Sequence, residues 1–166
     1  MKHDVIEHSF QLWSAESEKA KGRPSVVATL QGSAASIVAG SFSWQADLPH
    51  ALGGGNSAPS PTALLLSALA GCAVVFLRDT LAPQLGVIVR SIRATASCES
   101  DARGLLGMNG ALPDLERLAL SIEIDSPEPK EKLDGLLAVW KQRCPVYLAL
   151  VKARPVEVSL GVLQPV

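Results

Sequence analysis

Ser60-Pro61-Thr62-Ala63-Leu64-Leu65-Leu66-Ser67-Ala68-Leu69-Ala70-Gly71-Cys72-Ala73-Val74-Val75-Phe76-Leu77 is the stretch that decides how this chain folds. Ser60 is placed to cap a helix, and Pro61 suits the first helical position, where its missing N–H costs no hydrogen bond. From Ala63 to Leu77 the residues are apolar on nearly every side. A surface helix carries one apolar stripe, whereas a helix apolar all round is a buried one. Gly71 costs about 1 kcal/mol relative to alanine in a helix interior. Its presence predicts a close approach by another backbone. Pro83 and Gly86 are expected to end the helix. The apolar stretch falls short of the ~20 residues of a membrane span. It is also interrupted by Ser67 and Gly71 and closed by Arg78-Asp79, so it reads as a core helix rather than a membrane segment.

Working outward, the N-terminal third reads as β-rich. His8 to Trp13 is predicted as a first strand, Ser14 to Pro24 as a charged turn, Val26 to Leu30 as a β-favouring run and Ile37 to Trp44 as a weaker one. His50 to Ser60 is a loop carrying Gly53-Gly54-Gly55-Asn56. Beyond the helix, Val87 to Ala96 reads as a strand whose alternation is clearest from Ile88. Leu118, Leu120, Ile122 and Ile124 alternate with Ala119, Ser121 and Glu123. Asp101 to Pro113, between them, is a turn-rich connection. Ser126-Pro127 opens a second helix, where Leu133, Leu136, Leu137 and Trp140 fall on one face. Cys144-Pro145 breaks it, and Pro145 starts a short helix from Val146 to Lys152. Val156, Val158, Leu160 and Val162 read as a last strand. Nothing resembles a repeat or an interdomain linker, so a single domain over residues 1–166 is expected. The fold class is α+β, a mostly antiparallel sheet around a buried central helix. One thin sheet leaves a helix of this kind partly wet, so a homodimer is expected to complete its cover.

Composition narrows the function. A chain of 166 residues can bury roughly 70% of its unfolded surface without a disulfide or metal staple. The formal charge of −1 gives no reason to expect nucleic acid or a membrane as a partner. The start, Met1-Lys2-His3-Asp4-Val5-Ile6-Glu7-His8, has no apolar secretory core, so a cytoplasmic location is expected. In that compartment three cysteines are free thiols, redox groups or metal ligands. No Cys-x-x-Cys pair occurs, and His3, His8 and His50 follow no ligand spacing, so no metal is expected. Gly53-Gly54-Gly55-Asn56 lacks the Gly-Lys-Ser/Thr that would follow in a phosphate loop. No Ser-His-Asp arrangement can be read, and no bound cofactor is implied.

The three thiols differ. Cys72, on the apolar helix, has the position of a small core residue. Cys144 precedes Pro145 like an N-cap, where helix-terminal N–H groups, with Arg143 and Lys141 nearby, favour a thiolate. Cys98 stands beside Glu99 and Asp101, whose charge raises a thiol's pKa, so it reads as structural.

Taken in order, the β-rich N-terminal part, the Gly-Gly loop, Ala58-Pro59-Ser60-Pro61, Leu64 to Gly71-Cys72, the strand pair and Cys144-Pro145 resemble the OsmC/Ohr family. The similarity spans about Val26 to Val162. It implies an OsmC-like fold, an intertwined homodimer with active sites at the subunit interface, and reduction of organic hydroperoxides. It also implies that Cys72 is the peroxidatic thiol, Cys144 the resolving one, and an external dithiol the reductant. In typical hydroperoxide reductases of the family a glutamate ten residues before the first cysteine holds an arginine that activates the thiolate. Here that position is Thr62, and no acid lies between Asn56 and Cys72. Arg23 is the candidate N-terminal arginine and Arg78 a second. The alternative function is a non-enzymatic member that binds a small apolar ligand or acts as a redox sensor.

Overall fold

The computed structural model describes residues 2–152 and 154–162. Helix α2 spans Pro61–Phe76. Ser60 caps it, its hydroxyl accepting from the Ala63 N–H at 3.2 Å. The helix continues through a π-wound turn, Leu77–Leu81, into α3, Ala82–Gln84. Pro83 therefore does not stop it: the wider π turn ahead of the proline relieves its clash with the preceding turn. The joined helix, Pro61–Gln84, has 24 residues and is apolar enough to cross a membrane by length and composition. It ends between Pro83 and Gly86, as expected, and the chain buries only part of its apolar surface.

Strands β4, Ser91–Ser100, and β5, Leu115–Asp125, pair antiparallel. Alternation puts Ile92, Ala94, Ala96, Leu120 and Ile122 on one face, and these pack on the core with α2. Helix α5, Lys130–Arg143, brings Leu136 and Trp140 into the same core as Leu69, Ala73, Leu77 and Leu81. Helix α6, Pro145–Val151, follows after one residue and packs on α2 and α5. The expected amphipathic stripe on α5 and the helix break at Cys144-Pro145 are both present.

A second sheet lies upstream. Strands β1, Val27–Gln31, β2, Ala34–Ala39, and β3, Phe42–Ala46, form an antiparallel meander in that order. The stretch Ile37 to Trp44, read as one strand, is thus parts of two. Gly40, at φ 59°, takes the left-handed conformation that lets the chain reverse there.

Three other expectations change. His8 to Trp13 is not a strand but part of helix α1, Lys2–Ala15. Ile6, Ser9 and Leu12, three apart, are its half-buried residues, and the helix docks on α3 and the π turn. Helical spacing outweighs the weak alternation around Phe10. Val156 to Val162 forms no strand: the four apolar residues are more than four-fifths exposed and pair with none of the described strands. Gly71 faces open space, with no atom within 4 Å of an added Cβ. Only Leu69 and Ala73 of α2 itself are fully buried, so one chain covers its all-apolar helix in part.

Candidate functional site

The two cysteines read from the sequence meet. Cys72 lies in the fourth turn of α2, beside the buried Ala73, and meets the start of α6. Cys144 lies between α5 and α6, its φ and ψ extended as an N-cap requires. Their sulfurs are 2.8 Å apart. Cys144 is fully buried and Cys72 half-buried. The backbone N–H groups at the start of α6 turn toward the pair: that of Tyr147 donates to the Cys144 Sγ at 3.4 Å, and that of Val146 to Cys72. Both thiols belong to the apolar core that also holds Leu69, Ala73, Trp140 and Val146.

Burial dominates the electrostatics of Cys72. Loss of water, followed by the contact with Cys144, pushes its pKa from an ordinary 9.0 up to about 12, and the Val146 N–H opposes this only weakly. No cationic side chain contributes. In one chain, then, Cys72 is a protonated thiol held against a second sulfur. Such a pair can close to a disulfide, with a sulfur–sulfur bond of about 2.05 Å, with little movement and the loss of two electrons.

The candidate arginines stand elsewhere. Arg23 is exposed on the segment before β1. Arg78 is exposed on the π turn, with the Asp79 carboxylate 3.8 Å away. Thr62 is ten residues before Cys72, ~15 Å along the helix axis. It lies instead in a cavity of about 550 Å³ at the start of α2. Leu48, Pro49 and Leu52 form one wall of this cavity, and Leu105 and Leu115 the other, with Asp101 at its edge. Asp101 caps the single-turn helix α4, Ala102–Leu105, and the guanidinium of Arg103 holds its carboxyl below the usual range. Cys98 lies on β4 at an irregularity in its pairing with β5 and stays a free thiol.

Sequence reading missed Asp47. Asp47 follows β3 and is the one buried charged residue among the described residues. The signal was present in Asp47-Leu48-Pro49 followed by Gly54-Gly55-Asn56-Ser57, since aspartate gathers the N–H groups of turns rich in glycine, asparagine and serine.

A paired thiol beside a long apolar helix, two antiparallel sheets and a short helix opened by Cys-Pro together define a class. The profile of the family described as OsmC-like protein matches residues 54–160, and the chain belongs to that family. Its fold is similar to that of an OsmC-like protein from Mycoplasma pneumoniae (TM-score 0.67, 20% identity, 80% of this chain and 89% of that one). It is also similar to an organic hydroperoxide resistance protein OsmC from Legionella pneumophila (0.60, 20%, 79% and 90%). A third similar fold is that of the organic hydroperoxide resistance protein OhrB of Bacillus subtilis (0.52, 18%, 79% and 92%). No curated protein sequence is detectably similar.

Proposed function

We propose that the protein reduces organic hydroperoxides in the cytoplasm, with Cys72 as the attacking thiol and Cys144 as the resolving one. The observation that carries this reading is the 2.8 Å separation of two sulfurs from positions 72 residues apart. The Cys72 thiolate attacks one peroxide oxygen, the O–O bond breaks, and the alkoxide takes a proton and leaves as the alcohol. Cys72 is then a sulfenic acid. Cys144 attacks its sulfur, water leaves, and a disulfide forms. An external dithiol reopens it by two exchange steps.

A homodimer belongs to the same proposal. Among the described residues no cation reaches the thiol, α2 is half-covered, and the sheet of β1 to β3 exposes Val27, Leu30 and Phe42. A second chain on these surfaces would cover them and bring a guanidinium, Arg23 being the candidate, to Cys72. The cavity beside Thr62 would then take the apolar part of the peroxide next to the partner's thiols. The raised pKa of Cys72 and the missing carboxylate at Thr62 favour a second reading, a ligand-binding protein whose thiols act as a redox sensor.

Peroxide turnover separates the two. Purified protein with cumene hydroperoxide and a dithiol is expected to consume peroxide and to form the Cys72–Cys144 disulfide, leaving Cys98 free. Cys72→Ser should abolish turnover, and Cys144→Ser should leave Cys72 trapped as sulfenic or sulfinic acid. Full turnover by Cys72→Ser would sink the assignment of the nucleophile.

A further inference from the structure

We infer that Asp47 is a positioning residue for the cavity at the start of α2: its buried carboxylate fixes the loop that forms one wall and so sets which peroxides fit. The inference rests on the reading that this cavity takes the apolar part of the substrate.

Four donors converge on this one side chain. Oδ1 accepts from the Leu48 N–H at 2.7 Å and the Gly55 N–H at 3.3 Å. Oδ2 accepts from the Ser57 N–H at 2.9 Å and the Ser57 hydroxyl at 2.7 Å. Asp47 is 5% exposed. These donors, with no acid nearby to oppose them, hold its carboxyl at about 2, so it is ionised throughout the neutral range. A merely local turn needs one or two such bonds. Here they tie residues eight and ten positions away back to the end of β3.

The backbone closes the same loop. The Asp47 N–H donates to the Pro59 carbonyl at 3.1 Å, and the Asn56 N–H to the Leu48 carbonyl at 3.0 Å. The fit leaves no room for side chains. A Cβ on Gly54 would lie 2.0 Å from the Leu48 oxygen, and one on Gly55 would lie 3.1 Å from Asp47 Oδ2. The segment from Leu48 to Ser57 is thus wound around a carboxylate, and it turns Leu48, Pro49 and Leu52 to the cavity. Anything that loosens the carboxylate moves those three residues together, while the thiol pair, ~15 Å along α2, stays where it is.

Asp47→Asn tests this. An amide replaces one acceptor oxygen with an NH₂ that faces donors, so at least one pair of bonds becomes donor against donor. With cumene hydroperoxide KM is expected to rise about tenfold in Asp47→Asn, the loss of one buried hydrogen-bonded contact. Disulfide formation driven by hydrogen peroxide, which needs no apolar cavity, should stay within about twofold of wild type. Leu52→Trp, which fills the cavity directly, should give the same signature. Should Asp47→Asn fail to fold, Ser57→Ala removes only the hydroxyl bond, and a smaller shift in the same direction is expected. An unchanged KM in a folded variant, or equal losses with both peroxides, overturns the inference. Binding of anilinonaphthalene sulfonate provides a readout independent of turnover. If wild type binds the probe, Leu52→Trp blocks it and Asp47→Asn weakens it, the cavity assignment stands even where no peroxide is consumed. In that case the hydroperoxide reading alone fails.

Discussion

The two sheets of this protein carry the same alternating code and meet different fates. In β4 and β5 the inward residues, Ile92, Ala94, Ala96, Leu120 and Ile122, pack on the core shared with α2. In β1 to β3, Leu30 is 83% exposed and Phe42 74%, and no other helix or strand among the described residues packs closely on that sheet. Alternation states that one face of a strand seeks cover; it does not state which molecule supplies the cover. The half of the chain that holds Cys72 and Cys144 builds a core of its own, although α2 within it is covered only in part. The other half, with the apolar segment from Val156 to Val162, leaves its large apolar residues exposed in one chain.

Stability should separate the halves most sharply. Leu77 is fully buried between α2 and α5, so Leu77→Ala is expected to cost about 2–5 kcal/mol of unfolding free energy. That loss should appear at every protein concentration. Phe42→Ala removes a ring that one chain leaves in water, so its intrinsic cost should stay below about 1 kcal/mol. If a second copy covers the sheet, the cost appears instead as weaker self-association. Urea unfolding at two concentrations, with sedimentation, reads both. A Phe42→Ala protein that unfolds and associates like wild type would show that the open sheet is not an interface.

Titration of Cys72 is the next probe of the same division. Its pKa in one chain is raised from 9.0 to about 12. The protonated thiol is the form that the fold prefers. Its contribution to stability is therefore present below pH 9.0 and is lost as pH rises through about 12. Dilute protein should accordingly lose stability above pH 9.0 and react slowly with iodoacetamide at neutrality. Ultraviolet absorbance of the thiolate follows the group directly. In the dimer, an arginine brought from the second chain should lower the midpoint. A midpoint that does not move with association would mean that the second chain brings no charge to the thiol.

Much of the half that holds the thiols was legible in the sequence because local signals and burial agree there. Ser60-Pro61 and the apolar run specify the start of α2, Leu133 to Trp140 specify one face of α5, and Cys144-Pro145 specifies a break. Pairing of the cysteines followed from the family's order of motifs, and the packing of α6 on α2 brings their sulfurs together. The misreadings have physical causes. Around His8 to Trp13 the alternation was weak, and docking on α3 decided for helix. The last apolar segment reads as a strand because it alternates, yet alternation does not choose a pairing partner, and the segment joins neither of the two sheets. Asp47 carries a local turn signal, but the bonds that give it its role reach eight and ten residues along the chain, and residue spacing does not display those.

Thr62 is where the comparison bears on catalysis, with the smallest expected effect. A glutamate at this position is what, in typical hydroperoxide reductases of the family, holds the activating arginine. Within one chain that side chain enters the cavity, ~15 Å along the helix from Cys72, and no thiol lies within its reach. It would also face Asp101, whose carboxylate is already committed to Arg103. Any gain from Thr62→Glu must therefore come through the second chain's thiols. The expected result is a rise in cumene hydroperoxide reduction of about threefold to tenfold for the associated protein, the worth of one charge-assisted contact. The gain should vanish on dilution below the dimer's dissociation constant. A gain that persists in the monomer would mean that the helix end and the thiols communicate inside one chain. No gain in the dimer, with wild type already fast, would mean that another group orients the arginine.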